Sequence, residues 1–159
     1  MESSMGYWDV IEPHWDRLNS ARGRGPEGWA RAVAEGPADV VLLYSAYWCF
    51  SEVGNGGLAQ FFSNSAGALA PEAVEGLRAV GMPEAADLLA AAAALLGEPY
   101  PRDRDQRSAA LDDLLSGEDG DEEGPDDPFE ALEDRFWDLM QPDQGEGFEE
   151  RADAWVARS

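Results

Sequence analysis

Apolar residues recur at three- and four-residue steps along most of this chain, the period of a helix packed on one side. Tyr7, Trp8, Ile11, Trp15 and Leu18 make the first such face, with Pro13 placed to bend it. A Gly/Arg-rich turn at 22–25 closes it, and Pro26 opens a short helix carrying Trp29, Ala30 and Val33 that stops at Gly36. After Pro37, residues 40–53 are apolar nearly all round, which predicts a central buried helix. Their β-branched and aromatic content leaves a strand as the alternative. Asn55, Gly56 and Gly57 interrupt the pattern, and 58–65 resumes it with Phe61 and Phe62. Residues 71–80 and 83–96 read as a helical hairpin pivoting on Gly81, the second arm holding the alanine run 90–94. A Pro-containing loop at 97–105 leads to a helix at 107–115, through Leu111, Leu114 and Leu115. Residues 116–128 are a Gly/Pro/acid-rich loop, the stretch with least to hold it rigid. Helices at 129–140 (Phe129, Leu132, Phe136, Leu139) and 148–156 (Ala152, Trp155, Val156) complete the chain. There is no internal repeat. The pattern predicts an all-α fold, a single domain over 1–159 of about eight or nine helices.

Composition fits one core: 159 residues, 44% hydrophobic, with six Trp, six Phe and four Tyr. No signal-peptide pattern opens the chain and no apolar run could cross a bilayer, so the expected location is the cytoplasm. A lone cysteine, Cys49, rules out an internal disulfide. Charge changes the picture more. Thirty-three acids face eleven bases, all arginine, for a net charge of −22. Eighteen of the acids and only three arginines fall in residues 108–159. Such a field repels nucleic acid and anionic membrane and attracts basic protein surfaces. The same composition, rich in Ala, Gly and Arg without Lys, is also what a GC-rich genome or a salt-adapted protein tends to carry.

Catalytic machinery is thin. His14 is the single imidazole, and a lone histidine beside Pro13 and Trp15 reads as a surface or packing residue. Cys49 sits in the most hydrophobic segment, where a thiol is inert. With one His and one Cys, an ordinary zinc site cannot be assembled, and no nucleotide-binding glycine loop is present. The chain is therefore expected to be no enzyme and to carry no cofactor. Asp119 to Glu130 approximates a twelve-residue calcium loop, with acids at positions 1, 3, 5, 9 and 12 and glycine at 6. Glu123 at position 5, Asp126 at position 8, and Pro125 and Pro128 all depart from that pattern. A solvated acidic loop with no metal is the expectation.

One segment is not generic. In residues 52–67 (E-V-G-N-G-G-L-A-Q-F-F-S-N-S-A-G), glycines allow a tight turn out of the central helix. Gln60 and Asn64 stand four residues apart on one helical face, with Glu52 and Asn55 near enough in sequence to join them. The favoured role for Glu52, Asn55, Gly56, Gly57, Gln60 and Asn64 is a polar cluster that fixes a helix–turn–helix, ahead of a small-ligand site. The segment resembles the signature of the bacterial DNA-mimic protein family, E-V-x-N-G-G-[FL]-x-Q-[FY]-F-x-N-[SA]-x-G. The stretch Leu132-Glu133-Asp134-Arg135-Phe136-Trp137 is similar to that family's L-D-x-x-F-[YW] element. The resemblance covers about 37–158.

What the resemblance implies is a compact all-helical protein that displays carboxylates where DNA displays phosphates. It would occupy the DNA-binding face of a basic transcription factor or nucleoid protein, with a homodimer left open. A charge of −22 equals that of about 11 base pairs of duplex. The candidate contact set is the run of twelve acids without a base: Asp112, Asp113, Glu118, Asp119, Asp121, Glu122, Glu123, Asp126, Asp127, Glu130, Glu133 and Asp134. Glu130–Asp134 and Glu146–Glu150 are pairs at helical four-residue spacing. The competing expectations are an immunity or antitoxin-like inhibitor of a basic toxin, a calcium-responsive module, and a small-ligand binder at the Glu52 cluster.

Overall fold

Proline and glycine set the boundaries of the helices in the computed structural model, which describes residues 6–116 and 128–158. Pro13 cannot donate a backbone hydrogen bond. The first apolar face is accordingly split into α1 (Tyr7–Ile11) and α2 (Trp15–Gly23) by a 3-10 turn over Glu12–His14. Helix α3 (Gly25–Glu35) carries its proline in the first turn and stops at Gly36. Helix α4 (Ala38–Ser63) absorbs both the apolar segment and most of the motif. The strand alternative for 40–53 does not survive, because the segment is helical throughout. A 3-10 turn, Ser65–Leu69, then leads to α5 (Ala70–Ala79) and α6 (Pro83–Ala94), the expected hairpin about Gly81. Helix α7 (Arg104–Ser116) begins three residues earlier than its leucine pattern suggests, and α8 (Glu130–Met140) and α9 (Phe148–Arg158) close the fold. No strand occurs among the described residues.

Helix α4 is the axis of the core. Val40, Val41, Leu43, Tyr44, Ala46, Cys49 and Val53 are buried before the motif, and Leu58, Phe61 and Phe62 after it. On one side Trp29 of α3 stacks on Tyr44 at 5.7 Å, and Trp15 of α2 stacks on Trp48 at 5.5 Å. On another, α5 crosses so closely that a Cβ on Gly76 would lie 2.4 Å from the Leu42 carbonyl oxygen. Only glycine permits that crossing, since the obstacle is backbone. Helix α6 packs on α5 and α8. Phe148 of α9 fits between Tyr7 and Phe50, tying the chain's two ends to α4. Each fully buried phenylalanine contributes about 1.5–3 kcal/mol of apolar transfer. This frame places α7 and α8 against the motif half of α4 and leaves their acidic sides facing out.

Candidate functional site

At Gly57 the helix breaks with φ 87° and ψ −179°, a combination essentially confined to glycine. The break gives the second half of α4 a fresh amino end, whose first N–H groups have no partner within the helix. Glu133 of α8 meets that need: its Oε1 accepts from the Leu58 N–H at 2.7 Å. A carboxylate also suits the positive end of a helix dipole. Glu133 sits so close that a Cβ on Gly57 would come within 2.5 Å of it. Glu133 is therefore a half-buried member of the fold, unlike Asp112, Asp113, Glu130 and Asp134 of the same acidic set, which are exposed.

The depth of the bend follows from the polar cluster. Glu52 Oε2 accepts from Gln60 Nε2 at 3.0 Å and from Asn64 Nδ2 at 2.7 Å. In a straight helix, residues eight and twelve apart are separated by about 12 and 18 Å along the axis. One carboxylate oxygen can reach both only because the chain turns at Gly57. Gly56 leaves room for the folded-back Gln60 side chain, into which a Cβ would collide. Asn55 does not join the cluster; it is exposed at the bend. Glu52, Gln60 and Asn64 are thus joined by hydrogen bonds, whereas Asn55, expected to join them, is left exposed by the bend.

The other end of the motif is held by a residue whose part was not seen in sequence. Arg107 of α7 is fully buried. It donates through Nε to Phe62 O at 2.6 Å, through Nη2 to Asn64 O at 2.8 Å, and through Nη1 to the carbonyls of Arg102 (2.8 Å) and Pro101 (3.3 Å). A guanidinium at the carboxyl end of α4 satisfies orphan carbonyls and opposes the negative end of the dipole. Burial pushes Arg107 below the usual arginine range. The signal was available: Arg107 stands four residues before Leu111, on the apolar side of α7. Next to it, Glu72 takes a bidentate pair from Arg102 at 2.7 Å and the Trp29 indole N–H at 2.8 Å, and Tyr100 donates to Gly67 O at 2.6 Å. These bonds connect α3, α5 and the loop before α7 to the motif.

Acids left on the outside form a different set. Asp112 and Asp113 on α7, and Glu130 and Asp134 on α8, are exposed. Asp138 extends the α8 row by another four residues and is exposed too, a position the sequence reading passed over. The α8 base between them, Arg135, turns to α6 and forms a bidentate pair with Glu84 at 2.7 and 2.9 Å. Glu146 and Glu150 are not a helical pair, because α9 starts at Phe148 and Glu150 Oε1 accepts from the Gly147 N–H at 2.8 Å. Glu118, Asp119, Asp121, Glu122, Glu123, Asp126 and Asp127, and with them most of the calcium-like loop, lie outside the described residues.

The single cysteine and the single histidine are each shielded or engaged. Cys49 is buried, and burial pushes its thiol far above the usual range. His14 Nδ1 lies 3.0 Å from Arg17 Nη2 and accepts from it. No helix among the described residues is long and apolar enough to cross a membrane.

Together these features define a class: an acidic all-helical domain whose central helix is bent at a glycine and locked by polar side chains from either side. The chain belongs to the DMP19-like protein family, whose model matches residues 34–159. No curated protein and no solved structure matches the chain.

Proposed function

We propose that this protein is a non-enzymatic DNA mimic that covers the DNA-binding face of a basic transcription factor or nucleoid protein. One observation carries the reading. Glu130, Asp134 and Asp138 form an exposed row on one side of α8, and none of them is in an ion pair among the described residues. Four-residue steps put their carboxylates about 6 Å apart along the axis, comparable with successive phosphates of one DNA strand. The row is continuous because Arg135, the base within it, is taken up by Glu84. Family membership and a net charge of −22 support the same reading.

The test is competition for a basic partner recovered from the native host. Duplex DNA and this protein should exclude one another from that partner. Association should weaken about tenfold or more between roughly 50 and 200 mM salt, as phosphate-like contacts do. The triple change Glu130→Gln, Asp134→Asn, Asp138→Asn should slow association and reduce that salt dependence. A partner that binds DNA and this protein together, each with unchanged affinity, would overturn mimicry.

A further inference from the structure

The eleven arginines of this acidic chain are not evenly spread. Four of them, Arg22, Arg102, Arg104 and Arg107, line one cavity of about 210 Å3. It lies between the α2–α3 junction, the turn at Ser65 and the loop entering α7. Asp103 is the carboxylate in its wall, and its Oδ2 already accepts from the Gln106 N–H at 3.0 Å. Arg102 is neutralised by Glu72.

The other three guanidiniums have no carboxylate partner among the described residues. Arg107 is directed to carbonyls. Arg104 gives its Nε to Ser63 O at 3.2 Å, and neither of its terminal nitrogens is engaged among the described residues. Arg22 lies 4.3 Å over the Trp48 ring, and its Nη1 is buried without a hydrogen-bond partner. Arg107 is buried and Arg22 half-buried while Arg104 is exposed, and like charges drawn even partly out of water are costly unless a counter-charge joins them. The amino end of α3, at Gly25 and Pro26, adds the positive end of a helix dipole to the same wall.

We propose that this cavity binds a small oxyanion of the phosphate class, either free phosphate or the phosphomonoester end of a small metabolite. Planar guanidinium forks match such an anion bidentately. The cavity is smaller than the roughly 300–1,000 Å3 of drug-sized sites, so it holds the anionic group alone. Repulsion from the distant acids is screened beyond about 8 Å at physiological ionic strength, and the charge an anion meets is the local one. A bound anion would tie the α2–α3 junction to the α7 loop. The α8 row plays no part, so this site stands or falls independently of mimicry.

Calorimetric titration of the full chain with sodium phosphate, against sodium chloride of equal ionic strength, tests the site. Saturable binding with a dissociation constant near or below about 1 mM is expected. Arg104→Gln should weaken it about tenfold while the helical circular dichroism is retained. Arg22→Gln, on the opposite wall, is the independent variant and should weaken it similarly. Glycerol 3-phosphate distinguishes the sources: binding as tight as phosphate points to a phosphomonoester, and binding of phosphate alone to the free ion. No saturable heat up to about 10 mM phosphate would overturn the proposal. So would phosphate binding of equal strength in wild type and both variants, because the arginines would then not be its ligands.

Discussion

The two sides of α8 carry the same kind of side chain to different ends. On one, Glu133 is half-buried against the bend of α4 and accepts from Leu58 N–H, seventy-five residues away in sequence. On the other, Glu130, Asp134 and Asp138 are exposed and in no ion pair among the described residues. Glu133 is only three positions beyond Glu130, less than one helical turn. What differs is the element opposite. A carboxylate facing an unpaired helix terminus becomes part of the fold, and one facing water remains free to meet a partner. Acidity in this chain therefore has two meanings, and composition alone mixes them.

The bend that creates Glu133's role is where the comparison is easiest to break. Gly57→Val forces a branched residue into a backbone region reserved for glycine and drives its side chain into Glu133. It should cost about 3 kcal/mol or more, a fall of roughly 6–12 °C in melting temperature for a domain of this size. An unchanged thermal melt would show that the bend is not a required feature. The next largest effect contrasts the two sides of α8 directly. Glu133→Ala should cost about 1–2 kcal/mol by removing a charged acceptor from a helix start. Glu130→Ala should stay within about 0.5 kcal/mol, as exposed changes do. Equal losses in chemical denaturation would erase the distinction between inward and outward acids.

The smallest effect concerns Glu84, whose exposed pair with Arg135 keeps the α8 row free of base. The hydrogen bond from Arg135 holds its carboxyl below the usual carboxylate range. A depressed folded value means that its contribution is present at neutral pH. That contribution is lost as pH falls below the ordinary glutamate range and through the folded value. The pair is exposed, so solvent screening keeps the effect slight. Melting curves of wild type and Glu84→Gln should differ slightly near neutrality and converge in acid. Divergence on acidification would mean that the pair is not what sets the difference.

Much of the architecture was legible in the order of residues, because helical phase is a local property. Pro13, Pro26, Gly36 and Pro37 mark real boundaries, and the three- and four-residue steps select the buried faces of α5 and α8, whereas in α3 Ala32 is buried beside Trp29 and Ala30 is exposed. The motif's glycines announced a turn, and the Glu52–Gln60–Asn64 cluster follows from it. Asn55 was misplaced, since spacing along the chain does not say which way a side chain points once the helix bends. Arg107 and Glu72 were passed over, since a charged residue on an otherwise apolar face looks like an interruption until its partners are known.

By itself the sequence determined the helices, the position of the bend and the sign of the field, all consequences of local stereochemistry and composition. Which charges face inward was decided only by tertiary structure. Glu133 needed the amino end that Gly57 creates, and Arg107 needed the carboxyl end of the same helix. Helix ends expose backbone groups that must find partners, and those partners come from whichever element packs across them.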